Sequence, residues 1–206
     1  MTLGDIMNPA TPLLDAKTYL AVIVGAYEIG THYSDEYKTT ANKMVFQFDI
    51  PSVKDASGNP VQLSKWLNAG RKKGCKFIEF FNSLDDKNYT EAEIRAIDPE
   101  RYLGRACQIR VTVNTEKQKN YVESVMSLPD GIPAPQTSTK HCFYSVMDSG
   151  FSGAKWDALP GWVKNECEKS EQYRQNPPAQ PLEMPEDEAP PETPNQSEPD
   201  EEDCPI

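Results

Sequence analysis

The sequence predicts a mainly β domain with short helices, built as a five-stranded antiparallel barrel and followed by an acidic C-terminal tail. Two observations predict this fold class. Several segments of eight to thirteen residues are rich in β-branched and aromatic residues, and some alternate between apolar and polar positions. Helical spacing of apolar residues is confined to the stretch between the second and third predicted strands and to the end of the domain.

The first two strands are predicted at residues 17–29 and 43–50. The first is long, β-branched and aromatic, and we expect it to end at Gly30. The second begins with Lys43 on its polar face, and we expect Pro51 to stop it. The alternating apolar face of this strand consists of Met44, Phe46, Phe48 and Ile50.

Two short helices are predicted next, at residues 60–69 and 73–84. The apolar residues that recur at helical spacing in the second are Phe77, Ile78, Phe81 and Leu84. A β-hairpin is predicted to follow, in which residues 105–113 and 121–128 flank a polar turn at 114–120.

A fifth strand is predicted at residues 140–147, and a terminal helix at 156–174 that is broken near Pro160. We expect Trp156 and Trp162 to pack this helix on the barrel. Five short strands with a helical insertion and a terminal helix are typical of the OB-fold, a Greek-key barrel of this size. A β-sandwich is the main competing architecture.

Most of the negative charge lies in the C-terminal tail. The chain has 206 residues, with 32 acidic and 21 basic side chains and a formal net charge of −11. From Asn176 onward there are ten acids, no base and nine of the 18 prolines. Residues 176–206 are therefore predicted to be a disordered, Pro-rich acidic tail, and residues 1–175 a single domain. A nearly neutral domain is able to carry local basic patches that attract nucleic acid.

The sequence argues against a membrane-spanning, secreted or catalytic protein. It has no apolar stretch of membrane-spanning length and no secretion signal. Five cysteines without a CxxC pair fit free thiols in a reducing cytoplasm; a zinc site is an alternative that their spacing does not support. The sequence contains no GxGxxG, HExxH or GxSxG motif and no phosphate-binding loop. We therefore expect a cytoplasmic, non-enzymatic protein without a cofactor or a metal.

Aromatic residues near basic ones suggest binding of single-stranded nucleic acid, because rings stack on bases while cations neutralise phosphates. Tyr33 and Tyr37 lie in the polar loop between the first two strands, and Lys43 begins the second strand. These three residues form the first candidate segment. The alternative is a solvated hairpin loop with ordinary tyrosines.

Two further segments are candidates for contacts with nucleic acid. The residues in the predicted β-hairpin are Arg110, Lys117, Lys119 and Tyr121. The densest basic cluster contains Arg71, Lys72 and Lys73, together with Lys65 and Lys76. A charged turn and a solvated helix start, respectively, are the alternatives for these two segments.

The last residues combine acids, a proline and a terminal apolar side chain. The candidate partner-binding residues are Asp200, Glu201, Glu202, Asp203, Pro205 and Ile206. This ending resembles the C-terminal tip of bacterial single-stranded DNA-binding proteins, an acidic run that closes in Pro-Phe, with Ile206 in place of Phe and Cys204 before the proline. The resemblance implies that the tail recruits replication or recombination proteins. A solubilising tail is the alternative.

A second resemblance is carried by the long first predicted strand, opened by Tyr19, and by the stretches at residues 43–51, 102–107, 127–133 and 151–173. They resemble segments of small phage-encoded proteins thought to bind single-stranded DNA. This resemblance implies a largely sequence-independent single-stranded DNA-binding protein that protects single strands in phage replication, recombination or repair in the host cytoplasm. The sequence leaves open whether the protein is a homo-oligomer. The competing hypothesis is a DNA-mimicking protein-interaction adaptor or inhibitor without DNA affinity, and a small nuclease is a further alternative.

Overall fold

The computed structural model describes residues 12–35, 38–70 and 74–177. These residues form a mainly β domain with short helices, as predicted, but the sheet has six strands instead of five. The strands are β1 (Thr18–Ser34), β2 (Thr39–Lys54), β3 (Pro60–Asn68), β4 (Ala106–Asn114), β5 (Lys119–Ser127) and β6 (Cys142–Ser145). The order β3-β2-β1-β4-β5 is antiparallel throughout, and β6 pairs in parallel with β1.

Short helices fill the connection between β3 and β4 and the segment after β6. They are α1 (Lys76–Asp85), α2 (Glu91–Arg95), a 3-10 turn (Pro99–Tyr102), α3 (Val146–Ser149), α4 (Ala154–Asp157), α5 (Gly161–Glu168) and α6 (Glu171–Gln175). The terminal helix predicted for residues 156–174 is present as short helices: the predicted break near Pro160 is confirmed, whereas the break between α5 and α6 was not predicted. Pro160 precedes α5, and the side chain of Ser170 accepts a hydrogen bond from the Tyr173 amide to begin α6.

The prediction of a helix at residues 60–69 is wrong, because this segment forms β3. Val61, Leu63 and Leu67 face the core, and β3 pairs with β2 in a register that sets Leu63 opposite Phe48. The ladder of backbone hydrogen bonds with β2 decides the conformation, since a short segment has little intrinsic preference of its own.

Both long strands run past their predicted ends. At Gly30 the backbone takes a φ of 89°, beside a register shift in the β1–β2 ladder, and β1 continues to Ser34. Pro51 lies within a register shift of the β2–β3 ladder between Ile50 and Lys54, so its missing N–H interrupts the pairing without ending β2.

The fifth predicted strand, at residues 140–147, is present in part. Only Cys142–Ser145 form β6, and this strand runs parallel to β1, not antiparallel. The side chain of Ser145 accepts a hydrogen bond from the Met147 amide at 3.2 Å and so begins α3.

The sheet separates two apolar clusters. The inner cluster contains five phenylalanine side chains, Phe46, Phe48, Phe77, Phe80 and Phe81, of which the last three belong to α1. The outer cluster lies on the opposite face of β1 and β2, where Tyr27, Ile29 and Val45 pack against the segment after β5. Trp156 and Trp162 pack against this outer cluster, which confirms their predicted role as anchors.

The two end strands of the sheet, β3 and β5, approach each other through a side chain. The ammonium group of Lys65 donates hydrogen bonds to the backbone carbonyl oxygens of Val122, at 2.9 Å, and Glu123. Among the described residues, no helix is long and apolar enough to cross a lipid bilayer.

Candidate nucleic-acid interface

The outer face of the sheet is the surface of β1–β3 that points away from α1. Part of it is covered by α5, whose Trp162 packs edge-on against Tyr27 with ring centroids 5.6 Å apart and planes at 89°. The next ring along the surface is Trp66 of β3, whose centroid lies 6.3 Å from that of Trp162. Two indoles from distant parts of the chain therefore lie side by side.

Trp66 is 45% exposed, unlike most tryptophans of a folded domain. It lies opposite Val45 in the β2–β3 ladder and points outward because its neighbour Leu67 points into the core. Sequence analysis missed Trp66 because it assigned residues 60–69 to a helix. The alternation of Val61, Leu63 and Leu67 with other residues was the signal that could have revealed the strand.

A cleft of about 640 Å³, called the outer cleft below, opens next to Trp162. It lies between the outer face, residues 139–143 and the α4–α5 region. The lining side chains that bear on its chemistry are Tyr27, Gln47, Gln62, Lys140, Lys155 and Trp162. The cleft thus has an aromatic wall, amide groups and two cationic side chains.

The two lysines lie close to Cys142, which also lines the outer cleft. Burial raises the pKa of the Cys142 thiol, while the neighbouring Tyr27 hydroxyl and the charges of Lys140 and Lys155 act in the opposite direction. The same charges attract an anionic group entering the cleft.

A chain of hydrogen bonds crosses the outer face at the cleft. Burial raises the pKa of Tyr27, so its hydroxyl stays protonated and donates to Gln47 Oε1 at 3.0 Å. Gln47 Nε2 donates to Gln62 Oε1 at 2.8 Å, and Gln62 Nε2 donates to Asp49 Oδ1 at 2.8 Å. The hydroxyl of Thr137 donates to the other carboxylate oxygen of Asp49. These hydrogen bonds therefore connect the segment after β5, through Thr137, to β1, β2 and β3.

Lys43 is the predicted site residue that lies on the outer face. Its neighbour Met44 is buried in the inner cluster, so Lys43 points outward with Val45 and Gln47. Burial lowers the pKa of His32 on β1, and the nearby charge of Lys43 adds to this effect. Lys43 and Trp66 therefore belong to the same surface.

Tyr33 lies at the C-terminal end of β1, opposite Thr40, and is 51% exposed. Other predicted residues lie outside the described residues: Tyr37, Arg71, Lys72, Lys73, Asp200, Glu201, Glu202, Asp203, Pro205 and Ile206. Lys65, which sequence analysis grouped with the basic cluster, uses its ammonium group on β5 carbonyls, and burial lowers its pKa. It is therefore a structural cation in this fold.

The predicted β-hairpin is formed by β4 and β5. Lys117 and Lys119 are exposed at its turn, and Tyr121 is 44% exposed opposite Thr112. Arg110 forms an exposed ion pair with Glu123, with 3.1 Å between Nε and Oε2, so its charge is partly neutralised.

The structure separates the hairpin turn from Tyr33. Thr18, at the start of β1, pairs with Arg110, so the β4–β5 turn extends beyond the N-terminal end of β1. Tyr33 lies at the other end of the same strand. The predicted residues therefore do not gather at one end of β1.

The four cysteines that the structure describes show no arrangement for metal binding. Cys75, Cys107, Cys142 and Cys167 are free, and Cys107 and Cys167 are buried in apolar surroundings. Within residues 12–35, 38–70 and 74–177, no group of three or more histidine, cysteine, aspartate or glutamate side chains is placed to hold a metal ion.

Comparisons with protein-family models, with curated proteins and with solved structures found no match to this chain.

Proposed function

We propose that this protein is a non-enzymatic single-stranded DNA-binding protein that binds with little sequence preference. The observation that carries the proposal is the exposed indole of Trp66 beside Trp162 and a cleft with two lysines. Aromatic rings stack on any base, and each stacked base contributes about 1–3 kcal/mol. Lysines next to such rings neutralise the phosphates that connect the bases.

The fold supports this proposal. We infer that the sheet curves into an OB-type barrel, because β3 and β5 end the strand order and are bridged by Lys65. In OB-folds, oligonucleotides bind across the second and third strands and the loops that follow the first and fourth. Lys43 lies on β2 and Trp66 on β3. Tyr33 lies next to the loop that follows β1, and Lys117 lies in the loop that follows β4.

The acidic segment 176–206 has a separate role in the proposal. Its ten acids and absence of basic residues make it an electrostatic competitor for any basic DNA-binding surface of the same chain. Its acidic, Pro-Ile ending is the proposed contact for partner proteins of phage replication, recombination or repair.

The test is a titration of the full chain with poly(dT) and with duplex DNA at two salt concentrations. Tryptophan fluorescence is the signal that reports binding. We expect poly(dT) to bind more tightly than duplex, to quench the fluorescence and to weaken as salt rises. Absence of binding to poly(dT) at low salt would refute the proposal and favour the DNA-mimicking adaptor.

A further inference from the structure

The hydrogen-bond chain in the outer cleft has a fixed direction. The carboxylate of Asp49 accepts from Gln62 Nε2, and a carboxylate has no proton to donate. Gln62 must therefore turn its carbonyl oxygen towards Gln47, and Gln47 turns its own carbonyl oxygen towards the Tyr27 hydroxyl. The orientation of both amides is set by the protein before any ligand enters.

In its hydrogen bonds with the described residues, each amide uses only part of its hydrogen-bonding capacity. A glutamine side chain has two N–H donors and two carbonyl lone pairs. In the hydrogen-bond chain from Tyr27 to Asp49, Gln47 and Gln62 each use one N–H donor and one carbonyl lone pair. Both side chains line the cleft, and Gln62 is exposed there. Gln62 therefore retains one N–H donor and one carbonyl lone pair at the wall of the cleft.

We propose that the outer cleft binds one unpaired nucleotide of the DNA strand, with the Watson–Crick edge of its base on the Gln62 amide. This inference rests on the proposed function. Trp162 provides an aromatic wall for the base, and Lys140 and Lys155 attract the adjoining phosphates. A cleft of about 640 Å³ is large enough for a ligand of this size.

An amide at this position accepts every base and rejects paired ones. Each of the four bases carries a donor next to an acceptor on its Watson–Crick edge, so a fixed amide is able to bind any of them with two hydrogen bonds when the ring of guanine is turned over relative to that of adenine or cytosine. In a duplex that edge is already occupied by the complementary base. The cleft therefore selects single strands by their free base edges while remaining tolerant of sequence.

The test compares a (dT)12 oligonucleotide with the same oligonucleotide methylated at N3 of every thymine. Methylation removes the N–H donor of the Watson–Crick edge but leaves the phosphates and the ring in place. We expect the full chain to bind the methylated strand about 3- to 10-fold more weakly, which corresponds to one or two neutral hydrogen bonds.

Two variants localise the effect. Gln62→Met keeps the length of the side chain without its amide, so it should bind (dT)12 more weakly and lose the difference between the two strands. Gln108→Met, on β4 opposite Met126 and outside the cleft, is the matched control and should behave like the unaltered protein.

Equal, tight binding of both strands by the unaltered protein would overturn the inference while leaving the proposed function standing. Full retention of the difference in Gln62→Met would also overturn it. Failure of the unaltered protein to bind either strand would instead refute the proposed function itself, and the inference with it.

Discussion

The ammonium group of Lys65 donates a hydrogen bond to the backbone carbonyl oxygen of Val122 at 2.9 Å and thereby joins β3 to β5. It also donates to the carbonyl oxygen of Glu123. Burial lowers the pKa of Lys65, and the charge of Lys76 lowers it further. The side chain thus satisfies two carbonyl groups where the end strands of the sheet approach each other.

Replacing Lys65 with methionine should reduce stability. The variant leaves the Val122 and Glu123 carbonyls without this donor, and we expect the free energy of unfolding to fall by about 1–2 kcal/mol. Urea unfolding measures the change. Lys54→Met, at the exposed end of β2, is the control and should stay within about 0.5 kcal/mol of the unaltered protein. Equal unfolding midpoints for both variants would contradict a structural role for Lys65.

Loss of the exposed indole should weaken binding without changing its salt dependence. We expect Trp66→Ala to reduce affinity for poly(dT) by about 1–3 kcal/mol, because a stacking ring is lost while every phosphate contact remains. Trp66→Phe keeps a ring at the same position and should retain most of the affinity. The measurement is a titration at several salt concentrations. If Trp66→Ala binds as tightly as the unaltered protein, bases do not stack on this face.

Loss of cations should instead flatten the salt dependence. We expect Lys140→Ala and Lys155→Ala each to reduce the slope of log affinity against log salt by about 0.7, the value of one phosphate contact on a single strand. Lys87→Ala is the control, because Lys87 is held by Glu93 at 2.6 Å and lies outside the outer cleft. If the salt slopes of both variants equal that of Lys87→Ala, the DNA phosphates do not contact Lys140 or Lys155.

The same measurement tests the hairpin predicted from the sequence. If the strand extends to the β4–β5 turn, Lys117→Ala and Lys119→Ala flatten the slope, and Tyr121→Ala lowers affinity at constant slope. Unchanged values in all three variants would confine the interface to the outer face.

Removing the acidic segment should raise DNA affinity. Deletion of residues 178–206 keeps Asn176, whose amide donates to Gln172 O at the end of α6, and removes all ten acids. We expect tighter poly(dT) binding, most clearly at low salt, where charges are least screened. Deletion of residues 204–206 alone keeps the acids and should leave DNA affinity nearly unchanged. Weaker binding at low salt after the longer deletion would refute competition.

Asp85 should make stability depend on pH. Burial by itself raises the pKa of Asp85, but hydrogen bonds from Tyr102, Tyr89 and Arg105 outweigh it and leave the pKa below the ordinary value of 3.8. Because the folded pKa is the lower one, the stabilisation is present above about pH 4 and is lost as the pH falls through the folded value.

The Asp85→Asn variant measures this contribution. At pH 7 we expect it to lower the free energy of unfolding by about 1–3 kcal/mol, and to lose less stability than the unaltered protein between pH 5 and pH 3. Asp130→Asn, at an exposed turn, serves as the control in urea unfolding. Identical pH profiles for the Asp85→Asn variant and the unaltered protein would contradict the prediction.

Local sequence patterns correctly predicted those elements in which the spacing of apolar residues marks the buried face. Phe46 and Phe48 alternate with polar residues, and both are buried in β2 as expected. Phe77 and Phe81 recur at helical spacing and lie on the buried side of α1. Such patterns are informative because one face of a strand or helix must be apolar wherever it meets the core.

The pairing of β3 with β2 was decided by tertiary structure, and with it the exposure of Trp66. The alternation of Val61, Leu63 and Leu67 in this nine-residue segment fits a strand, and the neighbouring strand supplies the backbone hydrogen bonds that fix this conformation. The parallel pairing of β6 with β1 is likewise a long-range contact that no local pattern encodes.

The sequence by itself determined the mainly β class, the buried aromatic residues and the separation of charge between the body and residues 176–206. Only the tertiary structure decided which side chains share a surface. Trp162 meets Trp66, and Thr137 meets Asp49, across long stretches of chain. Spacing along the chain carries no information about these contacts, because they depend on how the segment after β5 folds back over the sheet.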